Sequence, residues 1–153
     1  MNEFMIDLDL MRFQEGLKVK TSEGKRYIFD PIRKKWLVLQ PEELVRQLVL
    51  LYLMSDKDYN KNRINVEKEI IVNQMQKRCD ILVFDTEMSP FLLVECKAPK
   101  IKINEDVFKQ IAWYNMALKV EYLMVTNGLV NYCCKMDYEN ESFEFLKEVP
   151  FFH

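Results

Sequence analysis

Three residues in the middle of the chain, Asp80, Glu95 and Lys97, have the types and spacing that phosphodiester chemistry needs. Residues 78–97 contain two apolar runs, 81–84 and 91–94, separated by a polar stretch ending in Pro90. That is a hairpin pattern with a loop longer than a tight turn. Folded about its middle, near Glu87 and Met88, it sets Asp80 beside Glu95, and directly opposed residues of an antiparallel pair have Cα atoms roughly 4.5–5.5 Å apart. Side chains alternate along a strand, so Glu95 and Lys97 share one face while Val94, Cys96 and Ala98 take the other. Two carboxylates this close repel each other without compensation. A divalent cation, Mg2+ or Mn2+, supplies it through carboxylate, carbonyl and water oxygens. In that arrangement Asp80 and Glu95 hold the metal and the backbone carbonyl of Cys96 completes the set. Lys97 orients a metal-activated water or stabilises charge developing on a phosphate. The plainer reading of the same spacing is a solvated hairpin carrying a Glu/Lys pair. Residues 91–98 read as a central strand, where paired charges are unusual without a task, and that setting favours the chemical reading.

The elements that must position these groups come from the rest of the chain. Residues 27–29 and 36–39 have strand character, with Asp30-Pro31 between them as a turn. Gln40-Pro41-Glu42-Glu43 predicts a helix start, since proline suits the first turn and acids suit the positive N-terminal end. The helix is expected to run to about Met54, with Leu44, Val45, Leu48, Val49 and Tyr52 facing the core. Residues 55–62 read as a polar loop. Strands are expected at 66–72, 79–84 and 91–98, then a helix over 104–118 capped by Asn104, with Val107, Ile111, Tyr114 and Leu118 as its buried stripe. A strand over 120–126 ends at Asn127-Gly128, and 129–136 and 142–147 are two more. This order predicts an α/β (α+β) fold, a mixed sheet with helices packed on it. The expected organisation is one domain, 1–153, with a lead-in over 1–26, a core of about 27–136 and an extension over 137–153.

Composition excludes several alternatives. The 153 residues are 49% apolar and 12% aromatic, enough for a sizeable core. The formal net charge of −2 argues against a protein that coats nucleic acid by charge alone, but leaves room for an enzyme with a local basic rim. The only histidine is His153, so Ser-His, Cys-His and histidine-metal chemistry have no support. Cys79, Cys96, Cys133 and Cys134 form no CxxC pair and read as reduced thiols rather than a zinc site. No apolar stretch follows a basic N-terminal region, and the longest apolar-rich run, 44–54, is too short to span a bilayer. The expectation is a cytoplasmic protein with no membrane association.

Asp80, followed by Glu95-x-Lys97 after an apolar strand, resembles the PD-(D/E)xK nuclease motif. More closely, the chain resembles the N-terminal nuclease domain of type I restriction enzyme R subunits, in a short stand-alone form. Four segments in the family's order carry this: Pro41-Glu-Glu-Leu-Val-Arg-Gln47; Val66-Glu-Lys-Glu-Ile70; Asp80-Ile-Leu-Val-Phe84 with Leu93-Val-Glu-Cys-Lys-Ala-Pro99; and Gln110-Ile-Ala-Trp-Tyr-Asn115 with Thr126-Asn-Gly128. The resemblance implies a restriction-endonuclease-like fold and Mg2+-dependent DNA cleavage, with Asp80, Glu95 and Lys97 catalytic. It also implies an acid of the first helix near the metal, Glu43 ahead of Glu42; the alternative for Glu43 is simple charge complementarity to the helix end. Gln110 and Tyr114 match a Q-x-x-x-Y pattern, and their spacing of four puts both on one helix face. There they touch the DNA backbone or brace the site, unless Tyr114 packs in the core. The chain departs from the motif where Cys79 stands before Asp80 in place of proline.

No G-x-x-x-x-G-K-[ST] loop is present, so ATP-driven translocation is not carried over. Separate recognition or motor subunits are the expected partners, with DNA, and cleavage of both strands would suit a homodimer. Three basic clusters offer a rim for phosphates: Lys18, Lys20, Lys25 and Arg26; Arg33, Lys34 and Lys35, followed by Trp36; and Lys97, Lys100 and Lys102. A solvated surface is the competing reading, strongest for the first cluster. Lys100 and Lys102 lie next to the site in sequence.

Overall fold

A computed structural model of the chain describes residues 4–152; His153 lies outside them. Three strands near the N-terminus, β1 (Val19–Ser22), β2 (Lys25–Asp30) and β3 (Lys35–Val38), form a small antiparallel sheet. After helix α1 (Pro41–Asp56) come β4 (Ile64–Val72), β5 (Met75–Phe84) and β6 (Pro90–Cys96). Helix α2 (Glu105–Tyr114), β7 (Tyr122–Thr126), β8 (Asn131–Asp137) and β9 (Ser142–Phe145) complete the order. The last six strands form one sheet in sequential order, antiparallel throughout except for the central β6–β7 pair, which is parallel. This is the mixed sheet expected from the pattern of strands and helices.

The sheet separates two cores. On one face α1 packs Val45, Leu48 and Val49 against Ile81, Leu92, Val94 and Met124. On the other, α2 packs Phe108 and Ala112 against Leu82, Leu93, Leu123 and Val125. Strand β6 is therefore buried on both faces, which explains its unbroken apolar run Phe91–Leu–Leu–Val94. The centre of α1 is enclosed all round, because the 3-10 turn at Leu10–Gly16 covers the side away from the sheet.

Turn chemistry sets the registers. Asn73 and Gln74 both have positive φ, at 51° and 65°, the conformation of a two-residue hairpin turn. Between β5 and β6, Asp85 accepts the N–H groups of Glu87 and Ser89, each at 2.9 Å, and closes the longer loop. Ile81 pairs with Val94 and Leu82 with Leu93, so the next positions along the two strands are Asp80 and Glu95. The fold about Glu87 and Met88 is the one the sequence predicts.

Some elements differ from expectation. Helix α2 is capped by Asn104, whose Oδ1 accepts from Val107 at 2.9 Å, but it ends at Tyr114 and tightens into a 3-10 turn over Met116–Leu118. Its inward face is Phe108, Ile111, Ala112 and Asn115; of the expected stripe, Ile111 and Leu118 pack on the core, while Val107 is only half-buried and Tyr114 is 61% exposed. Phe108 turns the helix, since its ring fills the gap between Tyr132 and Phe145. The segment before Tyr27 is more than extended chain: Ile6 and Leu10 are buried in the α1-side core, and β1 pairs with β2. At the other end the Tyr59 hydroxyl donates to Pro150 O at 2.9 Å, and Phe152 packs against Phe91.

Candidate active site

Asp80, Glu95 and Lys97 meet where the parallel strands β6 and β7 end at their carboxyl termini, beside the N-terminal turn of α1. Open α/β sheets commonly place ligands at such strand ends. Lys97 is the first residue beyond β6, and its backbone N–H donates to Thr126 O at 2.8 Å. Thr126-Asn-Gly128 forms a tight corner. Asn127 Oδ1 accepts from Leu129 and Val130, and its Nδ2 donates to Ile101 O, tying the corner to the loop that follows Lys97. Gly128 has φ +91°, and a Cβ there would come within 3.2 Å of Val45 Cγ2, so a side chain at this corner is strained and crowds α1.

Asp80 is held at both oxygens. Cys96 N–H donates to Oδ2 at 2.8 Å, and Arg46 Nη2 donates to Oδ1 at 2.9 Å. Glu95 lies against Asp80. Burial first, then the Asp80 charge and a hydrogen bond to Asp80, raise the Glu95 carboxyl to about 7, while Lys97 and Lys77 pull it down. Burial first, then the Asp80 charge, raise Glu42, while Arg46 and Lys97 lower it, so its charge reaches this group. The Lys97 ammonium is thus close enough to act on both Glu95 and Glu42.

Glu43, the acid ranked first from the resemblance, is occupied otherwise. It accepts from Arg33 at 3.1 Å, Arg46 at 2.6 Å and Gln47 at 3.0 Å. Glu42, ranked second, is the α1 acid whose charge reaches Asp80 and Lys97. Gln110 and Tyr114 both lie on the exposed side of α2. The Tyr114 ring is covered by Lys77 Nζ at 3.9 Å from its centroid, which rules out the core-packing alternative. Lys100 and Lys102 are exposed on the loop after Lys97.

Three residues with a part in this site did not stand out in the sequence. Arg46, buried in α1, binds Glu43, Glu67 and Asp80 together. Burial works against its charge, but the Asp80 hydrogen bond and the Glu43 and Asp80 charges outweigh that and raise its pKa. Its Nε is buried with no hydrogen-bond partner among the described residues. Glu67 leaves the β4 ladder, with φ +56°, to reach Arg46 at 2.8 Å and Arg78 at 2.9 Å. Lys77, buried on the α2 side, donates to Tyr114 O at 2.7 Å and Asn115 Oδ1 at 2.6 Å. A legible signal existed for Arg46: it follows Glu43 by three residues and sits inside an apolar run with no exposed side.

Among the described residues, no three histidine, cysteine or acidic side chains converge as a ready metal cage. The donor chemistry still suits a hard cation. The Asp80 and Glu95 carboxylates are adjacent, burial first and the Asp80 charge second raise Glu95, and the charge of a third acid, Glu42, reaches Asp80. All four cysteines are buried free thiols, and burial pushes Cys79, Cys96, Cys133 and Cys134 upward in pKa, away from the thiolate. No helix among the described residues is long and apolar enough to cross a membrane.

Comparison with known proteins bears on this geometry. Residues 41–150 match the family described as type I restriction enzyme R protein N terminus. No curated protein matches the chain. Among solved structures it is similar to a fragment assigned to the HsdR subunit of a type I restriction enzyme from Vibrio vulnificus. The identity is 21%, the TM-score 0.44, and the match covers 67% of this chain and 22% of that one. The match thus spans about a fifth of that fragment's length.

Proposed function

This chain belongs to the family of type I restriction enzyme R protein N termini, and from that membership we propose that it is a metal-dependent deoxyribonuclease of the PD-(D/E)xK type. The observation that carries the proposal is the contact of the Asp80 and Glu95 carboxylates across β5 and β6, with the Lys97 charge acting on Glu95.

In this reading Asp80 and Glu95 would hold Mg2+, with the Cys96 carbonyl as a further oxygen and Glu42 as the α1 acid whose charge reaches Asp80. When bound, the cation polarises the phosphate and lowers the pKa of a bound water. The chain's own residues do the rest. The Cys96 N–H and Arg46 fix the Asp80 carboxylate in one orientation. Lys97 stabilises charge on the phosphate oxygens and holds the attacking water by hydrogen bonding. Gln110, Tyr114, Lys100 and Lys102 lie outside the acid pair and serve to contact or brace the DNA backbone. Recognition and any motor would come from partner subunits, and a homodimer would suit double-strand cleavage.

Arg46 favours a second reading. A guanidinium already bonded to Asp80 supplies part of the compensation that a metal would give, which suits a catalytically weak module acting within a larger complex.

The experiment is cleavage of plasmid and of single-stranded DNA with Mg2+ or Mn2+, comparing wild type with Lys97→Ala and Asp80→Ala, with folding followed by circular dichroism. The expected result is activity in the wild type and loss in both variants. Retention of full activity by either variant would overturn the assignment. Metal binding without cleavage of any DNA would transfer the proposal to the second reading.

A further inference from the structure

The small sheet β1–β2–β3 lies outside the matched residues 41–150 and takes no part in holding Asp80 or Glu95. It is nonetheless the most charge-segregated region of the molecule. Seven lysines and arginines against Glu23 and Asp30 fall between Lys18 and Trp36, a net charge of +5. The whole chain carries −2, so everything else carries −7. Asp30 is fully buried and paired with Arg33 at 2.7 Å, and Arg33 also binds Glu43, so the surface charge of the segment lies on its five lysines and Arg26.

The pairing sorts these residues onto faces. Lys20 is opposite Tyr27 and Tyr27 opposite Val38, while Phe29 is opposite Trp36. Cross-strand partners share a face, so Lys20, Tyr27, Phe29, Trp36 and Val38 lie together on the face opposite the buried Ile28. Lys20 Nζ lies 4.3 Å from the Trp36 ring centroid, and Lys18 Nζ lies 5.6 Å from that of Phe29. Trp36 is 38% exposed and Val38 is 47% exposed. A purely solvated sheet has no reason to expose tryptophan and valine between lysines. A surface built to meet phosphates alone has no reason for the apolar rings.

The opposite face of the same sheet, with Lys35 beside Asp30 and Leu37 beside Ile28, lines a cleft of about 410 Å³ that reaches Glu42 and Arg46, whose guanidinium holds Asp80. Single-stranded nucleic acid is the ligand that offers both chemistries at once, phosphates for lysines and unpaired bases for aromatic rings. A duplex hides its base faces, and a folded acidic protein would leave the rings without flat partners.

We propose that the outer face of β1–β2–β3, centred on Lys18, Lys20, Phe29 and Trp36, is a docking platform for single-stranded nucleic acid. The lysines that cover the two rings swing to phosphates as a base takes the ring face. Binding requires neither metal nor cleavage, so its test stands apart from that of the nuclease reading.

The probe is a fluorescein-labelled 20-mer of thymidylate, followed by anisotropy in EDTA at low salt. Wild type is compared with Lys18→Ala/Lys20→Ala and with Trp36→Ala. In parallel, Trp113→Phe leaves Trp36 as the single tryptophan, whose emission reports stacking. The expected results are a loss of roughly tenfold or more in Trp36→Ala and a shallower salt dependence in the double-lysine variant. That slope, in log Kd against log salt, should fall by roughly 1.4, from about 0.7 per phosphate contact. Quenching of Trp36 on adding the oligomer is also expected. Unchanged affinity in both variants would overturn the proposal. So would the absence of Trp36 quenching, or binding of a 20-base-pair duplex as tight as that of the single strand.

Discussion

Strand β5 and the residues around it separate two buried cations that are solved in opposite ways. On the α1 side, Arg46 is surrounded by three carboxylates, those of Glu43, Glu67 and Asp80, and its pKa is raised. On the α2 side, Lys77 has only neutral acceptors, Tyr114 O and Asn115 Oδ1, and burial lowers its pKa. The first is a charge network whose members cannot be removed singly without leaving a buried ion alone. The second is a helix-end cap, in which a cation satisfies the last carbonyls of α2. Glu95 lies between them, lowered by Lys77 and Lys97 yet raised overall. The local charge near the acid pair is thus set by which side of the sheet a cation comes from.

Removing Arg46 should break this contrast most strongly. Arg46→Met leaves Asp80 without its ion-pair partner and Glu43 and Glu67 with only Arg33 and Arg78, and urea unfolding at pH 7.5 in EDTA should show a loss of about 3–5 kcal/mol. A loss below about 1 kcal/mol would mean that solvent, not Arg46, neutralises the three acids.

Glu95→Gln probes the group between the two cations. The folded chain holds the Glu95 proton more tightly than the unfolded chain does. Its contribution to stability is therefore complete below the ordinary carboxyl range near 4.5 and is lost as pH rises through about 7. In EDTA, wild type should lose up to about 3 kcal/mol across that window relative to Glu95→Gln. Parallel stability curves for the two proteins between pH 5 and 8 would refute the raised carboxyl.

Lys77→Met is expected to cost less than Arg46→Met, about 1–3 kcal/mol, because it leaves two neutral acceptors rather than charges unpaired. Amide exchange at the C-terminal turn of α2 should rise with it. A loss equal to that of Arg46→Met would erase the distinction between network and cap. Gly128→Ala should have the smallest effect, about 1–2 kcal/mol in thermal unfolding, from placing a Cβ at φ +91° against Val45. Wild-type stability in that variant would show that the corner can shift away from α1.

Much of the site is legible in the order and types of the residues. The hairpin midpoint at Glu87 and Met88 predicts the Asp80–Glu95 juxtaposition, because strand pairing is arithmetic once the turn is located, and the observed register obeys it. The capping of α2 by Asn104 and the start of α1 at Pro41 follow from local backbone chemistry in the same way. The rotation of α2 does not. Two apolar stripes are compatible with its sequence, and the aromatic partners Tyr132 and Phe145, distant in sequence, select Phe108 over Val107.

The sequence by itself determined the types of the reacting groups, their strand positions and the order of the elements, since each depends on periodicity and turn residues within about ten positions. Only the tertiary structure decided which charges meet. Glu43 pairs with Arg33 and Arg46, leaving Glu42 to face Asp80 and Lys97, and the lysines of β1 come to lie over the aromatic rings of β2 and β3. Coulombic partners are chosen by distance in space and by the loss of water around them, and neither is a property of neighbouring residues in the chain.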